Sequence, residues 1–465
     1  MKFAILFGPM CLAFRGSFDF TVLRTDPRGM TGSELGFIRI ADELQAAGHE
    51  VELRVVAEQT EYRGMRVRPL SDPLECDVAI AINEPDLLRQ APAGCFRVCA
   101  FWLNDTSFCR VGFDDHVDLF LSPSDAHLEQ VMTNLEWSKV EKTPEFPDGK
   151  AQYVPDAAKW VAVPLGCDPE RFYDQNLCPK CRRPSICEEQ YAQDGSSLAD
   201  KFYCIDCGPL PYPHPSQEKI PHRVVHCSSP DRGLHHLLSA WPEIRAAVPD
   251  ATLHIFYRLG PWLRGFDQTP YFPPIEPLRK RANYVEECLR RFQERGGMGV
   301  TLRDSVSRET IEREMAQAEV MAYSCDTTTW SEGFSCTVLE ACAARACPII
   351  SDCDALGSVY AELDPVPRGP GWVKAWTARV IEALLHPAVR EEQNSRAYAL
   401  ASKLTWKIYV EKVLKEIACR RMTSPSEPES VATSTSLQSS ATTKPPRSSP
   451  RRKTSKRSSP RNAGS

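Results

Sequence analysis

Glu332 and Glu340 stand eight positions apart on either side of a predicted helix start. Between them, Gly333 allows close approach of the backbone to a ligand, and Ser335 is a good N-cap. The amides of Gly333, Phe334 and Ser335 then form a helix N-terminus, which attracts a diphosphate through its donors and its dipole. Glu340, about 1.5 turns into the helix, has the two oxygens that bind a vicinal diol such as ribose. The pattern fits a sugar–diphosphate–ribose ligand, and equally a capped helix with an incidental glutamate at each end.

A second motif is a pair of Cys-x2-Cys turns separated by 22 residues. Each turn offers two thiolates, and Zn²⁺ prefers four such ligands in a tetrahedron. A structural zinc of this kind folds a segment that is too short to fold alone. Basic residues beside the first turn (Lys180, Arg182 and Arg183) make a contact with an acceptor or a nucleic acid an alternative role. No catalytic metal is expected. The predicted zinc ligands are Cys178, Cys181, Cys204 and Cys207.

The bulk composition is that of a globular protein with more than one domain. The chain has 465 residues, which exceeds what one hydrophobic core usually supports. Its 42% hydrophobic and 25% charged residues are typical of soluble proteins, and no apolar run reaches the ~18 residues of a membrane span. Gly8 and Pro9 interrupt the apolar start, which favours a first strand over a signal peptide. The 19 cysteines, mostly scattered through apolar segments, favour reduced thiols and a cytoplasmic location.

From Arg421 onward the chain is rich in serine, threonine and proline and poor in large apolar residues, which predicts disorder. This tail has nine Lys/Arg and two Asp/Glu, whereas the body before it has 47 and 59, a net charge of −12. The acidic body is not by itself a nucleic-acid-binding surface. The basic tail is either a solvated terminus or an electrostatic arm for a polyanion.

Apolar runs of strand length alternate with amphipathic helical segments along the body. This alternation predicts an α/β fold with two Rossmann-like domains, each a parallel sheet covered by helices, that face a cleft. Ligands of open α/β sheets bind at the carboxyl ends of the strands, near helix N-termini. The stretch around Glu332 and Glu340 is therefore expected to line the cleft.

Four segments, in order, resemble glycosyltransferase family 4, a retaining family with the GT-B fold. They are MTGSELGFIRIADELQAAGHEV, similar to its glycine loop and first helix; VPLGCDPERF, similar to its hinge; SSPDRGLHHLLSAWPEIRAAVPDATLHIFY, similar to the first β-α-β of its donor domain; and EGFSCTVLEACAARACPIISD, similar to its E-x7-E motif. The resemblance covers nearly the whole body, and the family does not normally carry the cysteine-rich insertion. The implied divisions are 1–165 for an acceptor-side Rossmann-like domain, 166–384 for a nucleotide-sugar domain, 174–212 for a zinc-ribbon insertion within it, 385–420 for helices that pack back on the first domain, and 421–465 for the disordered basic tail.

The resemblance also implies roles for residues on both sides of the cleft. Glu332 would contact hydroxyls of the donor sugar, and Glu340 would hold the ribose. Arg232 would neutralise the departing nucleoside diphosphate, at a position where the family has a lysine. The phosphate-binding backbone would come from Gly333, Phe334 and Ser335 on one side and from Gly32 and Ser33 on the other.

Two departures from the family pattern concern catalysis. The strand end that usually has an arginine has His226 and Cys227 here, and Arg258 is a candidate substitute in donor binding. The family commonly has a histidine after the fourth strand, whereas this chain has Asn104 and Asp105. Asp105 is accordingly either a catalytic carboxylate or a turn residue.

The resemblance implies a hexosyltransferase that moves a sugar, with retention, from a nucleoside diphosphate to an acceptor hydroxyl. Retention in such enzymes is thought to use same-face attack, with the leaving phosphate taking the proton of the acceptor. A polysaccharide or a glycolipid is the expected acceptor. A modified DNA base, flipped out of its duplex, is an alternative acceptor. A further alternative is a GT-B scaffold that binds nucleotide or nucleic acid without catalysis.

Overall fold

The computed structural model describes residues 1–9, 16–103, 113–135, 137–139, 150–152, 155–172, 186–188, 201–204, 208–210, 217–260, 275–326 and 332–423. Met1–Arg421 form one compact unit, and Met422–Ser465 form a second unit, of which two residues are described. Among the described residues, no helix has the length and apolar character needed to cross a bilayer. The twelve cysteines whose side chains the structure describes are all free thiols.

The first half of the chain builds a large, mostly parallel sheet. Eight strands lie in the order β10-β7-β6-β5-β1-β2-β4-β3, and all neighbours pair in parallel except β3 and β4. Strand β5 is buried along its whole length, as expected where both faces of a parallel sheet are covered. A separate antiparallel pair is formed by β8 and β9. The strands are β1 (Lys2–Phe7), β2 (Glu50–Arg54), β3 (Glu61–Tyr62), β4 (Met65–Arg68), β5 (Val78–Ile82), β6 (Phe96–Ala100), β7 (Leu119–Ser122), β8 (Trp137–Lys139), β9 (Lys150–Gln152) and β10 (Trp160–Ala162).

Helix α1 (Gly32–Ala46) begins at the edge of the sheet where the parallel strands end. Its N-terminus is a capping box, in which Thr31 Oγ1 accepts from the amide of Glu34 at 3.2 Å and Glu34 Oε2 accepts from the amide of Thr31 at 2.7 Å. Gly48 follows the helix with φ of +82°, a conformation that glycine adopts readily at a helix C-terminus. Helix α2 (Asp125–Leu135) follows β7.

The second half of the chain builds a smaller parallel sheet in the order β16-β15-β14-β17-β18. The alternation of strands and helices that the sequence predicts is confirmed in both halves. The strands are β14 (Arg223–His226), β15 (Thr252–Phe256), β16 (Val300–Arg303), β17 (Val320–Tyr323) and β18 (Pro348–Ile350), and the helices are α3 (Leu234–Ala247), α4 (Ile275–Glu294), α5 (Arg308–Gln317), α6 (Cys336–Ala343), α7 (Ala355–Val359), α8 (Trp372–Leu385), α9 (Pro387–Lys403) and α10 (Trp406–Thr423).

A small antiparallel sheet of β11 (Ile186–Glu188), β12 (Lys201–Cys204) and β13 (Gly208–Leu210) lies in the segment predicted to be a zinc ribbon. Cys178, Cys181 and Cys207 lie outside the described residues. Cys204 is the last residue of β12, where only the backbone is described. The zinc site therefore stays a prediction, and so does the disordered tail beyond residue 423.

The two sheets share packing within the compact unit. One hydrophobic cluster combines Phe7 and Phe37 of the first half with Tyr323 and Val338 of the second. Helix α10 returns to the first half, where Arg420 donates to the carbonyl of Ala158 at 2.5 Å. This packing fixes the carboxyl edges of the two sheets relative to one another.

Candidate functional site

Two helix starts face each other where the carboxyl edges of the sheets meet. A Cβ atom placed on Gly32, the first residue of α1, would lie 3.8 Å from Sγ of Cys336, the first residue of α6. A larger side chain at residue 32 would fill this gap. Since each helix start carries partial positive charge and unpaired amides, the gap between them suits an anion.

The loop before α6 is fixed through its oxygen atoms. Ser335 is the N-cap, as predicted, and its hydroxyl accepts from the amide of Val338 at 3.4 Å. Ser124 Oγ donates to the carbonyl of Gly333 at 2.7 Å, and the buried Tyr360 hydroxyl donates to the carbonyl of Ser335 at 2.7 Å. These bonds hold the loop from both halves of the chain, because Ser124 belongs to the first and Tyr360 to the second.

Glu332 lies at the end of this loop with its side chain 13% exposed. The hydroxyl of Tyr323 donates to Glu332 Oε2 at 2.5 Å, and Arg232 Nε lies 3.6 Å from the same oxygen. Asp354 Oδ2 accepts from the amide of Glu332 at 2.9 Å and so holds its backbone. Burial raises the pKa of Glu332, while Arg232 and the Tyr323 hydroxyl pull it down in part.

Arg232 lies in a tight turn between β14 and α3. Its Nε is 3.7 Å from Asp231 Oδ2. Burial alone would lower the pKa of Arg232, but the Glu332 and Asp231 carboxylates raise that pKa by more, so the net shift is upward. The next residue, Gly233, has φ of +89°, and a Cβ there would collide with the carbonyl of Ser324. Glycine is therefore required at position 233, and the turn places the Arg232 guanidinium beside Glu332.

Glu340 is buried in α6 and forms an ion pair with Arg308. The guanidinium of Arg308 donates to both carboxylate oxygens of Glu340, at 3.1 Å to Oε2 and closer to Oε1. The same guanidinium donates to Glu312 Oε1 at 3.1 Å through Nε. Glu312 also accepts from Arg24 and Arg171 of the first half and the hinge, so the pair belongs to a network across the cleft. Nothing in the sequence pattern predicts Arg308 as the partner of Glu340.

Two adjoining cavities occupy the cleft. The larger, about 330 Å³, lies between the loop before α1 and the strand ends of the second sheet. It includes Glu340 and Arg258, which were predicted to bind the donor, together with Arg308. Its walls also include Gly32, Ser228, Phe256, Tyr257, Val306 and Thr337.

The smaller cavity, about 270 Å³, brings together most of the predicted site. It shares Gly32, Ser228 and Thr337 with the larger one, so the two cavities adjoin at the facing helix starts. Apolar walls come from Trp102, Pro123 and Leu165 of the first half. The predicted residues that line it are Gly32, Ser33, Arg232, Glu332, Gly333, Phe334 and Ser335.

Other predicted residues lie elsewhere. Asn104 and Asp105 are outside the described residues, so the role of Asp105 stays a prediction. His226 is fully buried at the end of β14, where its Nδ1 lies 3.2 Å from the carbonyl oxygen of Ala322, and it lines neither cavity. Burial lowers the pKa of His226 to about 4, which keeps it neutral. Cys227, the next residue, does line the larger cavity.

His235 and His236, at the start of α3, meet Asp326 beside the second sheet. His236 Nε2 is 3.0 Å from Asp326 Oδ2, but Arg281 donates to both oxygens of the same carboxylate, at 2.7 and 2.6 Å. A guanidinium in this position competes with any cation. The trio therefore acts as a packing and hydrogen-bonding group.

Three residues of the site escaped the sequence analysis. Tyr323 ends β17 as one more apolar residue of a buried strand, and Arg308 stands among the charges of an amphipathic helix. Trp102 follows β6 by two positions and lies two residues before Asn104, and its part in the cavity was not predicted. The signal available for Trp102 was a large aromatic residue at the carboxyl end of a central strand.

No protein-family model matches the chain, and no curated protein matches it in sequence. Solved structures do match it in fold. AviGT4, a glycosyltransferase involved in avilamycin A biosynthesis, has a TM-score of 0.54 at 15% identity, covering 91% of this chain and 98% of its own. HepE (Alr3699) of Anabaena, in complex with UDP and glucose, has 0.53 at 14%, covering 90% and 100%. Sucrose-phosphate synthase of Thermosynechococcus elongatus has 0.51 at 14%, covering 91% and 100%. These likenesses show that the chain has the GT-B fold.

Proposed function

We propose that the chain is a retaining glycosyltransferase that moves a hexosyl group from a nucleoside diphosphate to an acceptor hydroxyl. The observation that carries this proposal is the pair of adjoining cavities, with Glu340 in one and Glu332 beside Arg232 in the other. The gap between the starts of α1 and α6 joins them, so one extended ligand with an anionic centre fills both. HepE, which shares the fold, was solved with UDP and glucose.

The donor is placed by the chemistry of the walls. The larger cavity takes the nucleoside, with the ribose diol at Glu340. The amides of Gly333, Phe334 and Ser335, together with Gly32 and Ser33, receive the diphosphate. The smaller cavity takes the hexose, with its hydroxyls at Glu332. Arg258, which lines the larger cavity, adds positive charge near the nucleotide.

The proposed reaction depends on stabilising the negative charge of the departing diphosphate more than on a side chain that acts as a general base. The bond between the anomeric carbon and the diphosphate oxygen breaks while the acceptor oxygen bonds to the same face of that carbon. The proton of the acceptor hydroxyl passes to the departing phosphate. Arg232, held by Asp231 and Glu332, offsets the charge that develops on the diphosphate. Asp105 is retained as a further catalytic carboxylate on sequence grounds alone.

A polysaccharide or glycolipid is the proposed acceptor, and zinc held by the four cysteines is proposed as a structural element. A hydroxylated DNA base is the second candidate acceptor. The basic tail after Arg421 favours this candidate, because a polyanion would bind there.

The test is a titration of purified chain with UDP, GDP, ADP and their glucose or mannose conjugates, followed by donor hydrolysis and mass analysis of glycosylated products. R232A and E332Q should lower hydrolysis by about 10²–10³-fold and leave the chain folded. R396A and E362Q, at exposed positions outside both cavities, are matched controls. Absence of binding by every nucleotide, or wild-type hydrolysis in both site variants, contradicts the proposal.

A further inference from the structure

Trp102 is a cavity residue that the proposed mechanism does not use. It follows β6 by two positions and is one of the walls of the smaller cavity, which Arg232 and Glu332 also line. It comes from the half of the chain that builds the first sheet, whereas Arg232 and Glu332 come from the half that builds the second. The indole is therefore the first half's main aromatic contribution to the cavity that takes the hexose.

The indole of Trp102 is held in one position. A Cβ atom on Gly36 of α1 would lie 2.5 Å from Cη2 and 2.6 Å from Cζ3, so the six-membered ring rests directly on the helix backbone. Tyr409 of α10 packs edge-on, with ring centroids 6.5 Å apart at 72°. A ring fixed by packing on two sides presents a constant surface to a ligand.

The backbone of Trp102 is fixed as well, through Asn83. The Trp102 amide donates to Asn83 Oδ1 at 2.7 Å, and Asn83 Nδ2 donates to Ser33 Oγ at 3.0 Å. Asn83 is fully buried and has φ of +60°, which is uncommon for a residue other than glycine. The hydrogen bond that its backbone amide donates to the carbonyl of Ala100 helps to hold this conformation. Asn83 thus connects the backbone of Trp102 to the side chain of Ser33, which lines the same cavity.

The walls of the smaller cavity have two chemical characters. Trp102, Pro123, Leu165 and Phe334 are apolar, and Arg232 and Glu332 provide a charged edge. A hexopyranose ring matches this division, because its faces carry C–H groups and its rim carries hydroxyls. A flat nucleobase matches the aromatic wall but offers less to the carboxylate of Glu332. The composition of the walls therefore favours a sugar.

We infer that the indole of Trp102 is the surface on which a hexopyranose ring stacks in the smaller cavity. This inference rests on the proposed function, since it names the contact that selects a pyranose within the same site. The ring belongs either to the donor or to the acceptor, because the cavity lies where the two must meet. Apolar contact with a preorganised aromatic face supplies affinity, and the hydroxyls at the rim supply orientation.

The test compares W102A and W102F with W372F. Trp372 is a matched control because it is also partly buried and edge-on to a neighbour, His236, but lines neither cavity. Calorimetry gives the affinities for UDP, UDP-glucose, GDP and GDP-mannose. Saturation-transfer NMR gives binding of methyl glucoside, galactoside and mannoside in the presence of UDP. Thermal melting shows that each variant is folded, and W102F covers the case in which W102A does not fold.

If the hexopyranose ring belongs to the donor, W102A lowers the affinity for the sugar nucleotide, relative to that for the bare nucleotide, by about tenfold. W102F lowers it by less. If it belongs to the acceptor, that ratio is unchanged and the methyl hexoside signal is lost. Either result supports the inference. Three results overturn the inference. In the first, W102A changes neither the ratio of sugar-nucleotide to nucleotide affinity nor the methyl hexoside signal. In the second, W102A weakens the bare nucleotide as much as the sugar nucleotide, and in the third, only the binding of a single-stranded oligonucleotide depends on Trp102. Wild-type chain that binds no nucleotide refutes the proposed function instead, which separates the two failures.

Discussion

Arg308 donates to both carboxylate oxygens of Glu340, the residue assigned to the ribose. Both side chains are about nine-tenths buried, and Arg308 also donates to Glu312. Each carboxylate oxygen has a second lone pair, so a diol can bind Glu340 while the guanidinium stays in place. The pair then fixes the orientation of the carboxylate before the nucleotide arrives.

This pairing predicts an asymmetric response to mutation. R308A leaves Glu340 as a buried, unpaired charge and should lower the free energy of unfolding by about 3–5 kcal/mol. The double variant R308M/E340Q removes both charges and should recover most of that loss, while nucleotide binding stays weak. Urea unfolding at pH 7, with titration of UDP and GDP, measures both effects. A double variant as unstable as R308A would show that the ion pair does not account for the loss.

The hydrogen bond from Tyr323 to Glu332 predicts a shift in the pH dependence of activity. Burial raises the pKa of Glu332, and the Tyr323 hydroxyl opposes that rise. Y323F removes this opposition, so the pKa should rise further and the acidic limb of kcat/KM for donor hydrolysis should move to higher pH. Y284F, at an exposed tyrosine, is the control. An acidic limb that stays in place in Y323F would mean that Glu332 does not govern it.

His226 predicts a loss of stability in acid. Burial lowers the pKa of His226 to about 4, below its ordinary value of 6.5, so the unfolded chain binds a proton first as the pH falls. The contribution to stability is complete above pH 6.5 and declines as the pH falls toward 4. His127, with a pKa lowered to about 4 by burial, acts in the same direction.

H226F should therefore reduce the slope of unfolding free energy against pH between 6.5 and 4, whatever its effect on stability at pH 7. Urea unfolding at several pH values measures the slope, with H386Q at an exposed histidine for comparison. A slope in H226F equal to that of the wild type would assign the acid sensitivity to other groups.

The cysteine-rich segment predicts about one zinc per chain. Elemental analysis of protein purified without chelators should show it, and C178S/C181S should lose the metal and melt at a lower temperature. C419S, at an exposed cysteine of α10, should change neither property. Less than ~0.5 zinc per wild-type chain would count against a four-thiolate site of ordinary affinity.

The strands and helices that position the site were predicted because each one is encoded by a pattern of neighbouring residues in the sequence. Buried parallel strands such as β5 read as apolar runs, and α1 and α6 each begin at a capping residue. The hairpin of β3 and β4 was not predicted, because strands of only two and four residues carry little periodic signal. The predicted domain boundaries stay predictions, because the two sheets belong to one compact unit.

The part of the site that was predicted is the part whose residues lie together in one sequence motif. Glu332, Gly333, Phe334 and Ser335 are consecutive, and the structure brings them to one cavity with Arg232. Arg308 and Glu340 are 32 positions apart, and no periodicity relates an arginine of one helix to a glutamate of another. The closeness of Trp102 to Gly36 and Tyr409 similarly depends on the path of α10 across the first half.

Helix α10 comes so close to the first half that it limits what two distant positions can hold. A Cβ atom on Gly166 would collide with the backbone of Trp406, and one on Gly36 would lie 3.3 Å from its ring. The two contacts differ in kind, because the neighbour of Gly166 is the backbone of residues 405 and 406, whereas the neighbours of Gly36 are the rings of Trp102 and Trp406. A smaller side chain at position 406 would therefore leave residue 166 confined to glycine, since the obstacle there is main chain that every amino acid carries.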